Sequence, residues 1–238
     1  MKAVVVIPTY NERRNVSVLI PRLAGALRKG KVNGRIIVVD DGSKDGTDDE
    51  VLRLSKKYSV ELLERHKRMG LGSAYVAGFN RALSYKPYAV VEMDADLSHD
   101  PNFVPRLLDA IAAGCDVAIG SRYIKGGKTI GWSMHRKLVS FFANIVVKHI
   151  AGIRTKDATS GFRAYRSAAL RRMLGHVTSK SYDFQIETTW LAEKLGMKIS
   201  EIPIVFRERA FGKSKLRAID MFSFALMALR LRISKRPS

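Results

Sequence analysis

Short runs of apolar residues alternate along this chain with longer stretches of helical period. Ala3–Ile7 (AVVVI), Arg35–Val39 (RIIVV), Val60–Glu64, Tyr88–Met93 (YAVVEM) and Val117–Ile119 predict five strands, most of them buried in a sheet. Between the first two, Val18, Leu19, Leu23 and Leu27 recur at the spacing of one helix face. Further helices are expected near Glu50–Tyr58, from Gly70 to about Ser84, and over Asn102–Ala113. Asn11 or Asn15 is the expected cap of the first helix and Thr47 or Asp48 of the second, while Asp100-Pro101 opens the fourth. This strand–helix rhythm predicts an α/β fold: a largely parallel, mixed sheet with right-handed crossovers, flanked by helices. Later in the chain His135–His149 reads as helical, and Trp190, with Phe184 and Leu191, reads as helix core.

Three of the strands end in polar loops: PTYNE at 8–12, DDGS at 40–43 and DAD at 94–96. In open α/β sheets ligands sit beyond the carboxyl ends of strands, so these loops are expected to share one crevice. Asp94 and Asp96 stand one residue apart, which in extended chain points both carboxylates to the same side. Two adjacent carboxylates repel unless a cation lies between or beside them. So small a set of hard oxygen ligands suits Mg²⁺ or Mn²⁺ that also binds substrate phosphates. A solvated turn that merely caps the next helix is the alternative, but Asp100-Pro101 already fills that role.

Composition narrows the class. The 238 residues are 46% hydrophobic, enough for a sizeable core, and carry a single cysteine, Cys115, which excludes an internal disulfide and is expected to pack beneath a strand. The N-terminus enters a strand at once with no signal-peptide pattern, and no apolar run reaches the ~20 residues that span a bilayer. A net charge of +20 points to polyanionic partners: nucleic acid, anionic lipid headgroups or phosphorylated substrates. Neither a G-x-G-x-x-G dinucleotide fingerprint nor a P-loop is present, which argues against hydride transfer and P-loop chemistry. No zinc-type histidine spacing occurs, and His99 beside DADLS is the one histidine of interest.

PTYNE, VDDGSKDGT at 39–47, GLGSA at 70–74, MDADLSHDP at 93–101 and GSRY at 120–123 stand in the order and spacing of inverting family 2 glycosyltransferases, which this chain resembles. Within that family GGKTIGWSMHRKLVSFFAN at 126–144, SGFRAYR at 160–166, SYDFQIE at 181–187 and EIPIVFRERAFGKSKL at 201–216 resemble the enzymes that make dolichyl- or polyprenyl-phosphate mannose. The resemblance spans nearly the whole chain and implies a GT-A-like single domain. It implies that Pro8, Tyr10, Glu12, Val39 and Asp41 line a nucleoside pocket, an Asx turn being the other role open to Asp41. Asp94, Ala95 and Asp96 would hold metal and donor diphosphate, with Ser98 touching the metal through water, and Arg209 and Lys215 would close over the diphosphate. Arg122, Arg136 and Ser140 would take the acceptor phosphate, with Asp96 and Arg122 at the point of transfer. Arg136 and Ser140 are four apart and so share a helix face.

The expected reaction is mannosyl transfer from GDP-mannose to dolichyl (polyprenyl) phosphate with inversion. Glucosyl transfer from UDP-glucose is the alternative within the family. A basic nucleic-acid-binding protein is the alternative outside it, one that leaves the paired aspartates without a task. Residues 1–217 would form the transferase domain and 218–238 an amphipathic interfacial helix, since Ile219–Ile233 is apolar and gives way to Arg230, Arg232, Lys235 and Arg236. That helix would sit on anionic lipid at the cytoplasmic face of a membrane, or dock on a membrane-anchored partner subunit.

Overall fold

In the computed structural model of the chain, residues 1–211 and 218–234 are described. β1 (Lys2–Thr9) lies inside a seven-stranded sheet, between β2 (Asn33–Asp40) and the central β4 (Ala89–Glu92), and β3 (Val60–Glu64) forms one edge. Beyond β4 come β7 (Arg163–Arg166), β5 (Val117–Ser121) and β8 (Ile199–Pro203). β7 runs antiparallel to β4 and β5, and the other pairings are parallel. The chain winds outward from β1 to β3, then returns to pair β4 with the other side of β1. That reversal leaves a crevice at the carboxyl ends of β1 and β4.

Alternate residues of β1 face opposite layers, as the twofold period of a strand requires. Val4 and Val6 pack toward Tyr75, Phe79, Phe184 and Trp190, whereas Ala3, Val5 and Ile7 pack toward Leu19, Leu23, Val51 and Leu107. The first layer holds α3 (Leu71–Ser84), α5 (Met134–Ala151), α6 (Ser167–Leu174), α7 (Phe184–Lys194) and α8 (Ala218–Ile233). The second holds α1 (Arg13–Lys29), α2 (Thr47–Ser55) and α4 (Val104–Ala112). A short parallel pair, β6 (Lys128–Ile130) with β9 (Val205–Arg207), lies apart from the main sheet. Cys115 is buried, and so are Trp190 and Leu191 in α7.

The expected caps of the first two helices do not form. Glu12 precedes α1, Asn11 sits in the left-handed region at φ 54, and Asn15 is inside the helix. Gly46, at φ 80, precedes α2, and the Thr47 hydroxyl instead accepts from the Glu12 backbone N–H at 2.9 Å. Thr47 is already the first residue of the helix, and Asp45 Oδ1 accepts from both its N–H and its hydroxyl. At Asp100 the expectation holds: its carboxylate accepts from the Asn102 N–H at 3.1 Å, with Pro101 first in the turn that leads to α4.

Candidate active site

Each of the three strand-end loops turns back through one left-handed residue: Asn11 (φ 54), Gly42 (φ 74) and Leu97 (φ 64). Glycine and asparagine tolerate that conformation, but a buried leucine there stores about 1–3 kcal/mol of strain, directly behind the acidic pair. The first two loops are stitched together. Ser43 Oγ accepts from the Asn11 N–H at 2.7 Å, and Asn11 Oδ1 accepts from the Lys44 N–H at 2.8 Å. The neighbouring aspartates Asp40 and Asp41 divide the work. Asp40 accepts from Thr9 Oγ1, Ser43 Oγ and the Ser43 N–H at 2.6–2.8 Å, and so makes the loop's turn. Asp41 lines the cavity, where it pairs with Arg65 at 3.0 Å and accepts from the Met69 N–H at 3.2 Å. Burial pushes its carboxyl up, against the pull of Met69 and Arg65. Nearby, the Arg68 guanidinium lies 4.9 Å over the Tyr10 ring.

The cavity, of about 630 Å³, is floored by Asp94, Ala95 and Asp96. Burial, then the neighbouring Asp96 charge, push Asp94 up to about 7, although the Tyr75 hydroxyl donates to its Oδ1 at 3.0 Å. Asp96 meets Arg209 Nη2 at 3.1 Å. His99 stacks on Phe162 at 4.9 Å with Nδ1 3.9 Å from Asp94 Oδ2, and burial pushes its imidazole down to about 4, so it is neutral at pH 7. Gly161 closes the floor: a Cβ there would lie 3.2 Å from Asp94 Oδ2, closer than a side chain comfortably allows. Among the described residues no three His, Cys, Asp or Glu side chains converge on one point. A divalent ion here would therefore take two carboxylates from the protein and its remaining ligands from substrate and water. The donor set fits such an ion, because a cation offsets both the burial and the Asp96 repulsion that raise Asp94.

Another part of the lining is cationic. Asp157 holds Arg122 through Nε at 2.8 Å, Nη2 at 2.7 Å and the backbone N–H at 2.9 Å, and Thr159 Oγ1 accepts from Nη2 at 2.8 Å. Burial opposes the Arg122 charge, but Asp157 outweighs it and keeps the pKa above its ordinary value. On α5, Arg136 lies 4.2 Å over the Trp132 ring and is gripped at both ends of the Glu208 carboxylate, at 2.6 and 2.8 Å. One turn on, Ser140 Oγ is 3.0 Å from the Tyr123 hydroxyl. The consecutive residues Glu208 and Arg209 thus reach Arg136 and Asp96 respectively.

Of the residues singled out from the sequence, Pro8, Tyr10, Glu12, Asp41, Asp94, Ala95, Asp96, Arg122, Arg136, Ser140 and Arg209 line this one cavity. Val39 and Ser98 do not. The Val39 side chain is buried in the core, and Ser98 lies behind the acidic pair with its N–H donating to Asp96 Oδ1 at 3.0 Å. Lys215 lies outside the described residues. Sequence reasoning missed Arg68, Tyr75, Asp157, Thr159, Gln185 and Glu208. Arg68 stood only in a short run of basic residues, and Gln185 and Glu208 lay within the stretches 181–187 and 201–216 that carry the resemblance without a role assigned to them.

Residues 4–174 match the family described as glycosyl transferase family 2. The chain is 42% identical over 242 residues to the polyprenol monophosphomannose synthase of Mycolicibacterium smegmatis, covering 98% of this chain and 89% of that one. It is 41% identical to the undecaprenyl-phosphate mannosyltransferase of Micrococcus luteus, over 91% of this chain and 88% of that one. It is 42% identical to the dolichol-phosphate mannosyltransferase of Pyrococcus furiosus, covering 97% of this chain and 64% of that longer protein. Among solved structures, glucosyl-3-phosphoglycerate synthase from Mycobacterium tuberculosis in complex with Mn²⁺, UDP-glucose and phosphoglyceric acid superimposes with a TM-score of 0.69 over 97% of this chain and 79% of that one. At 20% identity that likeness shows a shared GT-A-like fold. The same enzyme has been solved with Mg²⁺ and UDP.

Proposed function

Because the chain belongs to glycosyl transferase family 2, we propose that it transfers mannose from GDP-mannose to a polyprenyl (dolichyl) phosphate, with inversion at the anomeric carbon. The observation that carries this reading is one cavity with an acidic floor, Asp94 and Asp96, and a cationic wall, Arg122 and Arg136 with Ser140. That polarity suits two phosphate-bearing substrates of different kinds. A diphosphate accompanied by Mg²⁺ or Mn²⁺ belongs on the carboxylates, and a bare phosphate monoester belongs on the guanidinium groups. The names of relatives at 41–42% identity supply mannose and the polyprenyl phosphate.

The chemistry asks little of a base, since the acceptor phosphate oxygen is already anionic. What the chain supplies is alignment. Arg122, strapped to Asp157, is a cation of fixed position, and Arg136 and Ser140 address the same phosphate from one face of α5. The ion held by Asp94 and Asp96 would neutralise charge building on the leaving diphosphate. Arg209, 3.1 Å from Asp96, is within reach of a diphosphate held there.

A lipid acceptor brings the protein to a membrane, and the surface has a face for it. Met134, Leu138, Phe141, Phe142 and Val146 of α5 and Leu226, Leu229 and Ile233 of α8 are exposed apolar side chains on two helices packed against each other. The cavity wall includes Val139 and Ala143 of α5 and Phe224 of α8, so the acceptor side adjoins this face. No helix among the described residues is long and apolar enough to cross a membrane. An interfacial mode, with Arg230 and Arg232 of α8 toward anionic headgroups, fits these two helices. We propose the cytoplasmic leaflet as its place. The experiment is a donor screen with purified protein, Mg²⁺ or Mn²⁺ and a short polyprenyl phosphate. Consumption of GDP-mannose is expected, consumption of UDP-glucose alone would reassign the sugar, and consumption of neither would sink the reading.

A further inference from the structure

Gln185 stands in the first turn of α7, next to Phe184, whose ring stacks on Tyr75 at 5.7 Å. It is 5% exposed and lines the cavity, and neither its Oε1 nor its Nε2 meets a partner at full hydrogen-bond geometry, although the amide lies close enough to the buried Glu92 carboxylate to favour its charge. Its backbone is the opposite case. The Gln185 carbonyl accepts from Arg163 Nη2 at 2.9 Å and from Thr189 Oγ1 at 2.8 Å, and Arg163 is itself fully buried. A fixed backbone therefore presents an unsatisfied amide to the cavity. Buried amides are almost always paired in native proteins, and each exception calls for a reason.

The position of the amide supplies one. A Cβ on Gly161 would lie 3.2 Å from Asp94 Oδ2 and 3.3 Å from Gln185 Nε2, so the carboxylate and the amide flank the same glycine. The buried Glu92 carboxylate is also beside the amide, which helps to hold its charge, but Glu92 Oε1 likewise lacks a partner at hydrogen-bond geometry. Whatever meets Gln185 must offer both a donor and an acceptor. A phosphate only accepts and would leave Oε1 facing an anion, whereas a sugar hydroxyl does both. The sugar hangs directly from the diphosphate that Asp94 and Asp96 would anchor, and so falls within reach of this amide.

We infer that Gln185 hydrogen-bonds hydroxyl groups of the transferred hexose and thereby helps to select the sugar. The inference rests on the nucleotide-sugar reading above. Its test separates sugar from nucleotide: titration calorimetry of Gln185→Leu with GDP-mannose and with GDP, beside a thermal melt of the ligand-free protein. We expect GDP-mannose to bind about 5- to 100-fold more weakly and GDP to bind as before, with a cooperative melt that shows the variant folded. Gln185→Met, closer in length, repeats the test should the leucine variant fold poorly. Equal loss of GDP and GDP-mannose, unchanged GDP-mannose binding, or a lowered melt with binding intact would each overturn the inference. Failure of the donor assignment shows separately, in the unsubstituted protein. If that protein binds UDP-glucose instead, the same comparison is made with UDP-glucose and UDP, and binding of neither sugar nucleotide overturns both.

Discussion

Asp157→Asn tests whether the cationic wall is pre-built. Asp157 is fully buried and engages Arg122 at three points between 2.7 and 2.9 Å. Burial alone would raise its pKa, but the Arg122 charge and hydrogen bonds outweigh burial and hold the carboxyl below the ordinary range. Asparagine keeps the shape, removes the charge and turns an N–H₂ toward a guanidinium that can only donate. Breaking a buried ion pair from one side costs about 3–5 kcal/mol. For a domain of this size each kcal/mol lowers the melting midpoint by about 2–4 °C, so a fall of about 6–20 °C is expected by calorimetry. Lipid acceptor use should fall with it, because Arg122 loses the strap that aims it. The double variant Arg122→Leu/Asp157→Leu removes both charges and should regain much of the midpoint while remaining inactive, which separates stability from function. The pH dependence has a definite sign. A folded pKa depressed below 3.8 means the pair stabilises in full at neutral pH and is lost as pH falls through the folded value. The gap in midpoint between wild type and Asp157→Asn should thus hold from pH 8 to about 5 and close only below about pH 4. An Asp157→Asn protein that melts with the wild type, or a double variant that transfers at full rate, would refute the reasoning.

The remaining predictions concern the two ends of the cavity and the membrane face. Asp94→Asn and Asp96→Asn should weaken Mn²⁺ binding, read by titration without donor, and lower turnover by about 10- to 100-fold or more, with the fold intact. Full activity in chelator-treated protein would dismiss the metal. Arg136→Ala should raise the KM for lipid phosphate and leave the donor Kd unchanged, with Lys restoring it only in part, since a point charge cannot replace a fork. Glu208→Gln should do the reverse: the Arg136–Glu208 pair is about 40% exposed and contributes at most about 1 kcal/mol, so removing it should lower that KM by up to about fivefold. A raised KM would show that Glu208 supports the acceptor rather than occupying its place. Phe142→Asp on α5, 59% exposed, should weaken co-sedimentation with anionic vesicles without changing the melt. Binding that RNA strips away and Phe142→Asp leaves untouched would favour a nucleic-acid partner.

The acidic floor and its neighbours were legible because buried parallel strands announce themselves as apolar runs, and such strands end where ligands bind. What local pattern cannot carry is the partner of each loop residue. Thr47 reads as a cap, yet its hydroxyl serves the Glu12 N–H, 35 residues away. Asp157 sits in a stretch with no period, and its importance comes wholly from Arg122, also 35 residues away. α7 gave no amphipathic stripe because it is buried continuously from Phe184 to Ala192. The apolar stretch of α8 reads as an interfacial helix, and Leu226, Leu229 and Ile233 do face outward. Its Met227, Ala228 and Leu231 instead enter the same core cluster as Trp190. Sequence reading placed the acceptor candidates Arg136 and Ser140 on α5 and overlooked the exposed apolar residues Leu138, Phe141, Phe142 and Val146 of the same helix.

The most direct test of the whole account is the product itself. Purified protein would be incubated with GDP-mannose, whose mannose is α-linked, together with Mg²⁺ and a short polyprenyl phosphate, and the lipid extract read by NMR at the anomeric position. A single displacement in which Arg122, Arg136 and Ser140 aim the acceptor phosphate opposite the leaving diphosphate predicts a β-mannosyl phosphate lipid, absent when metal is chelated. An α-linked product, or GDP-mannose left unconsumed while the lipid phosphate is bound, would contradict it.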